Sequence, residues 1–151
     1  MASPSQSARA VRLIRSCLVA ATWAALALTA SAAETFKVRL RPVPIEASTA
    51  AATTGAGAAT AELDGRRLKL AGDFGGMKGA ATVARLHQGA AMGVRGPAIV
   101  DVTVPAVPSG KFSAEVTLTA EQAEGVRQGH VYLQIHSASA PEGNLWGWLV
   151  P

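Results

Sequence analysis

Short runs of alternating apolar and polar residues, broken every few positions by Gly or Pro, constrain this chain most. Phe36-Lys37-Val38-Arg39-Leu40 repeats with period two, the signature of a strand buried on one face only. Thr60-Ala61-Glu62-Leu63 and Leu68-Lys69-Leu70-Ala71 flank Asp64-Gly65. That dipeptide predicts a hairpin with a type I′ turn, whose two central residues both need positive φ. Further strands are expected at Thr82 to His87, Ala98 to Val104, Lys111 to Leu118, Val131 to His136 and Leu145 to Val150. Residues 47–59 are mostly Ala, Thr, Ser and Gly and show no period, which reads as a loop whose end begins the next strand. One helix interrupts the series: Thr119 has Gln122 three positions on, the capping-box spacing, and Gly129 follows Ala120 to Gln128 as a stop. Seven or eight short strands and one short helix predict an all-β, antiparallel Greek-key sandwich, immunoglobulin-like or superoxide-dismutase-like.

The N-terminus is of another kind. Arg9, Arg12 and Arg15 form a basic stretch, Cys17 to Leu28 is apolar, and Ala30-Ser31-Ala32-Ala33 is small throughout. This order is that of a secretory signal peptide. About a dozen apolar residues fall short of a bilayer core of roughly 30 Å. Residues 1–33 are therefore expected to be removed, leaving 34–151 as one domain in the periplasm or outside the cell, with no membrane attachment. Removal takes three of the 14 basic residues and none of the 10 acidic ones, so the net charge falls from +4 to +1. A nucleic-acid partner is then not expected. The one cysteine leaves as well, and about 118 residues are enough to fold without a disulfide.

Several features in order resemble the CHRD domain family. They are Phe36 to Leu40, Thr54-Gly55-Ala56-Gly57-Ala58-Ala59 ahead of the hairpin, Ala84-Arg85-Leu86-His87 and Leu118-Thr119-Ala120-Glu121-Gln122. Gly129-His130-Val131-Tyr132-Leu133-Gln134-Ile135-His136 and Pro141-Glu142-Gly143-Asn144-Leu145-Trp146-Gly147-Trp148-Leu149 complete the series. The resemblance spans about residues 35–150 and implies an extracellular or periplasmic module with no established catalytic activity. Two departures stand out: the family's His-x-His is here Arg85-Leu86-His87, and Trp146 and Trp148 replace usually polar residues.

Catalytic chemistry finds little support in the residues. No Ser sits in a Gly-x-Ser-x-Gly elbow, and Gly72, Gly75, Gly76 and Gly79 lack the spacing and Lys-Ser/Thr ending of a phosphate loop. The chain is expected not to be an enzyme and to need no cofactor. His87 and His136 are the alternative: a small Cu- or Zn-binding periplasmic protein would use them, since imidazole suits both metals. A structural zinc site wants four ligands, and His130 lies six residues from His136 along the same strand. Otherwise both histidines are outward strand residues bonded to neighbours.

Strand alternation sets Leu145, Gly147 and Leu149 on one side and Trp146, Trp148 and Val150 on the other. By the same rule Val131, Leu133 and Ile135 oppose Tyr132, Gln134 and His136. With the aliphatic sets in the core, Tyr132, His136, Trp146 and Trp148 point away from it and form a binding surface for an extracytoplasmic protein or a glycan. The competing placement puts the tryptophans in the core or beneath a neighbouring element.

Cleavage is expected after Ala32 or Ala33. Intact-mass measurement of the exported protein should give a start at Ala33 or Glu34; a product retaining Arg9 or Cys17 contradicts it.

Overall fold

A computed structural model describes residues 32–44 and 47–151. The basic and apolar parts of the expected leader lie outside the described residues, while Ala32 and Ala33 immediately precede the first strand. Eight strands and one helix follow: β1 (Glu34–Pro42), β2 (Ala56–Asp64), β3 (Arg67–Gly75), β4 (Ala81–Gln88), β5 (Ala98–Val102), β6 (Gly110–Thr117), α1 (Ala120–Arg127), β7 (Val131–Ser137) and β8 (Ala140–Trp148). They make one antiparallel sheet in the order β5-β4-β7-β8-β1-β2-β3-β6, so β1 joins one set of strands to the other. It pairs with β2 from Glu34 to Leu40 and with β8 at Arg41 and Pro42. No helix among the described residues is long and apolar enough to cross a membrane.

Period-two burial explains the core. Phe36, Val38 and Leu40 of β1, Ala61 and Leu63 of β2, and Leu68 and Leu70 of β3 all face inward. Leu86 of β4, Val131, Leu133 and Ile135 of β7, and Leu145 and Leu149 at the chain's end meet them. Helix α1 adds Ala123 and Val126 to this core. Its capping box forms as the sequence predicts: Thr119 Oγ1 accepts from the Gln122 N–H at 3.1 Å, and Gln122 Oε1 accepts from the Thr119 N–H at 2.9 Å.

Two local expectations are corrected. The hairpin loop is Gly65-Arg66, because the register pairs Leu63 with Leu68 and Asp64 with Arg67. A loop at Asp64-Gly65 would set Leu63 opposite Arg66 and place a charge on the buried face. Only Gly65 has positive φ (59°) in this turn, and no non-glycine residue does among those described; glycine in the first central position is the pattern of a type II′ turn. The last strand also begins earlier than Leu145. Pro141 and Gly143 precede the expected start, yet Ala140 already pairs with Ser137 across a register shift. The shift is a bulge, which tolerates both residue types inside a strand.

One strand breaks the half-buried rule. Every residue of β7, from Val131 to Ser137, is buried, on both faces of the sheet.

Candidate functional site

The inner face of β7 meets the core; its outer face needs another cover. Tyr132 and His136 are only 1% and 6% exposed, yet neither belongs to the core cluster. The cover comes from the flanking strands and one loop. Register sets His87 of β4 and Trp148 of β8 on either side of Tyr132, and Trp146 beside Gln134. The His87 ring stacks on Tyr132 with centroids 4.9 Å apart and planes 10° from parallel. Trp148 packs at a tilt 4.7 Å from Tyr132, and Trp146 meets Tyr132 edge-on at 5.5 Å. The two indoles lie 6.1 Å apart and edge-on. Such offset and edge-to-face contacts match the quadrupoles of the rings.

Gly147, between the tryptophans, lets β8 lie close against β1. A Cβ there would stand 2.5 Å from the Arg39 carbonyl oxygen and 2.7 Å from Val38 Cγ1. Glycine thus lets β1 pass closely under the strand that carries both indoles.

The polar atoms on this face are bonded mainly to main chain. Loop 89–97 supplies Gly96, whose carbonyl faces His87 Nδ1 at 3.0 Å and accepts from the Tyr132 hydroxyl at 3.3 Å. The Gly96 N–H donates to that hydroxyl at 3.3 Å. Arg95, next in the loop, places its guanidinium carbon 5.4 Å from the centre of the Trp146 ring, a cation–π contact. At the other end the β8 bulge turns the Pro141 carbonyl toward His136 Nδ1 at 2.8 Å, and Gln134 Nε2 donates to the Glu142 carbonyl at 2.8 Å.

Asn144 fastens this end to the preceding segment. Its Nδ2 donates to the Thr54 carbonyl at 2.6 Å, and its Oδ1 accepts from Ser137 Oγ at 3.0 Å. A groove of about 450 Å³ lies alongside, lined in part by Val43, Arg95, Pro141 and Glu142. A depression of similar volume on the outer face of β2, β3 and β6 is lined by exposed Glu62, Lys69 and Glu115, which reads as an ordinary solvated sheet face.

All four residues expected to share a surface, Tyr132, His136, Trp146 and Trp148, thus lie on one face. Tyr132 and His136 are buried within it, and the tryptophans are half-buried. His87 joins them, its ring centre 6.5 Å from that of His136 with planes 30° apart. Arg85 ties its guanidinium to Asp101 of β5 at 3.0 Å. His130 sits outside β7, its backbone joined to Gly125 and Gly89, and no ring contact brings it to the pair among the described residues. No group of three or more His, Cys, Asp or Glu gathers among the described residues in a way that could hold a metal ion. Sequence reasoning missed loop 89–97 entirely. Arg95 and Gly96 fit no strand or helix period, and only the ring cluster beneath them gives them a role.

Burial holds His87 below its ordinary pKa of 6.5, aided by coulombic repulsion from His136, Arg85 and Arg95 and opposed by the bond to the Gly96 carbonyl. The fold therefore favours the neutral ring. The unfolded chain takes up a proton near the ordinary value while the folded chain does not. This contribution is complete above that value and is lost as pH falls toward the lower folded one. Between pH 7.5 and 5.5 the urea midpoint should fall, and His87→Gln should flatten the fall by as much as one proton's linkage. An unchanged slope in the variant would contradict this.

The profile of the CHRD domain matches residues 36–149. No curated protein and no solved structure matches the chain. The profile reaches all eight strands, omitting only the first two residues of β1, and takes in the aromatic–histidine face built on them: the chain belongs to the CHRD domain family.

Proposed function

We propose that this chain is exported to the periplasm or beyond and serves there as a non-catalytic binding or structural module, recognising an extracytoplasmic protein or a glycan through Trp146 and Trp148. The observation that carries this reading is the position of the two indoles. They are half-buried, stand outside the core, and are held by Tyr132 and Arg95 in one arrangement. A platform fixed before the ligand arrives loses little entropy on binding, and tryptophan and tyrosine are the side chains that most often anchor interfaces. Export draws support from family membership and from the basic, apolar and small-residue order of residues 1–33.

The topology supports reading the sheet as a Greek-key sandwich of the superoxide-dismutase-like kind. Strands β1, β2, β3 and β6 form one set and β8, β7, β4 and β5 the other, and the chain crosses between them after β3, β5 and β6. A second function, a small periplasmic metal-binding protein using His87 and His136, draws support from the nearness of the two rings. Among the described residues no third His, Cys, Asp or Glu groups with them, which weighs against zinc.

With residues 1–33 removed, Trp146 and Trp148 are the only tryptophans of the chain, so its fluorescence reports on this face alone. Iodide should quench that fluorescence in the native protein, and Trp148→Ala should cost less stability than Leu133→Ala, a core truncation worth about 2–5 kcal/mol. Shielded indoles, together with a Trp148→Ala cost of about 3–5 kcal/mol, would assign the rings to the core and end the proposal.

A further inference from the structure

Two nitrogens beneath the aromatic face have nothing to bond. His87 Nε2 and His136 Nε2 are both shut off from solvent, and neither has a hydrogen-bond partner in the described chain. Their rings are nonetheless fixed. Each Nδ1 faces a main-chain carbonyl, Gly96 for His87 and Pro141 for His136. A carbonyl only accepts, so each Nδ1 carries the hydrogen, and in a neutral ring the lone pair falls to Nε2. A histidine whose Nδ1–H is held by a carbonyl has the tautomer and orientation of a metal ligand with its outer partner in place. The two tethers lie at opposite ends of the strands, Gly96 beyond the end of β4 and Pro141 after the β7–β8 turn.

We propose that His87 and His136 together hold one monovalent copper ion, with one Nε2 on either side of it. This rests on the metal-binding reading of His87 and His136 and names the ion they hold and its geometry. Spacing is the first argument. A metal–imidazole bond is roughly 2 Å and a ring centre lies about 1 Å behind its nitrogen, so two rings on opposite sides of one ion have centres roughly 6 Å apart. The observed 6.5 Å fits that arrangement. A tetrahedral angle at the ion would draw the centres to roughly 5 Å, and a direct hydrogen bond between the rings would do the same.

Charge and ligand number are the second argument. An imidazole binds a metal in its neutral form, and no further His, Cys, Asp or Glu completes a group of three among the described residues. Zinc in a closed site takes four ligands. Arg85 is balanced by Asp101, but the positive charge of Arg95 also acts on His87 and disfavours a second positive charge on the ion. A singly charged d¹⁰ ion is satisfied by two nitrogen donors, and imidazole suits copper. The step is binding alone; no electron is transferred.

The test uses the tag-free mature protein, without oxygen, titrated with copper(I) against a chromogenic copper(I) chelator. One copper per chain should bind, and X-ray absorption should show two nitrogen neighbours at roughly 2 Å with imidazole scattering behind them. His87→Gln and His136→Gln, each checked for folding by circular dichroism, should weaken binding at least tenfold; the wild-type spectrum decides should either variant fail to fold. Lys69→Ala, on the solvated outer face of β2, β3 and β6, should leave the copper stoichiometry unchanged. Loss of copper binding beside iodide-accessible indoles would retire the metal site alone. The proposal is overturned if the chelator strips all copper from the wild type, as expected for two buried nitrogens that simply lack a partner. Three or four donors in the spectrum, or binding that survives loss of both histidines, would overturn it equally.

Discussion

Burial of β7 on both faces is the constraint on which the rest of the structure turns. An antiparallel strand in a small sheet usually shows one face to water. Here the outer face carries Tyr132, Gln134 and His136, and a buried polar group without a partner is costly. The chain meets that cost with main chain, through Gly96 at one end and Pro141 and Glu142 at the other. The loop at 89–97 and the bulge at the start of β8 are thus parts of one device that roofs a strand.

The same device sets the chemistry. Carbonyls engage one nitrogen of each histidine and leave the other, so both rings present a lone pair on Nε2 within a layer of aromatic side chains. The indoles occupy the outer rim of that layer, half in water, with Arg95 across one of them. A rigid rim and a dry interior with two free nitrogens are different offers to a ligand, one to a flat apolar face and the other to an ion. Both depend on β4, β7 and β8 being neighbours.

Local periodicity made much of the fold legible. Phe36, Val38 and Leu40 announce β1, Thr119 and Gln122 announce the helix start, and the alternation of Leu145 and Leu149 with Trp146 and Trp148 separates the two faces. Legibility failed where pairing outranked local preference. The loop moved to Gly65-Arg66 because Leu63 and Leu68 had to face each other in the core, and β8 started at Ala140 because a bulge accepts Pro141. The nearness of His87 and His136 depends on β4 lying beside β7, a non-local pairing that spacing in the chain does not encode. The cover over Tyr132 depends on a backbone carbonyl in loop 89–97, and a carbonyl has no sequence signature.

The central claim is that main-chain carbonyls clamp both histidines of this roofed strand by Nδ1 and leave Nε2 bare. Long-range ¹H–¹⁵N correlation spectra of the metal-free, ¹⁵N-labelled mature protein read this directly, because protonated and bare ring nitrogens differ widely in ¹⁵N shift. Above the ordinary histidine pKa, His87 and His136 should both appear as neutral Nδ1–H tautomers, their ring protons exchanging slowly with water. Nε2–H tautomers, or rings averaged by fast exchange like a surface histidine, would contradict the account.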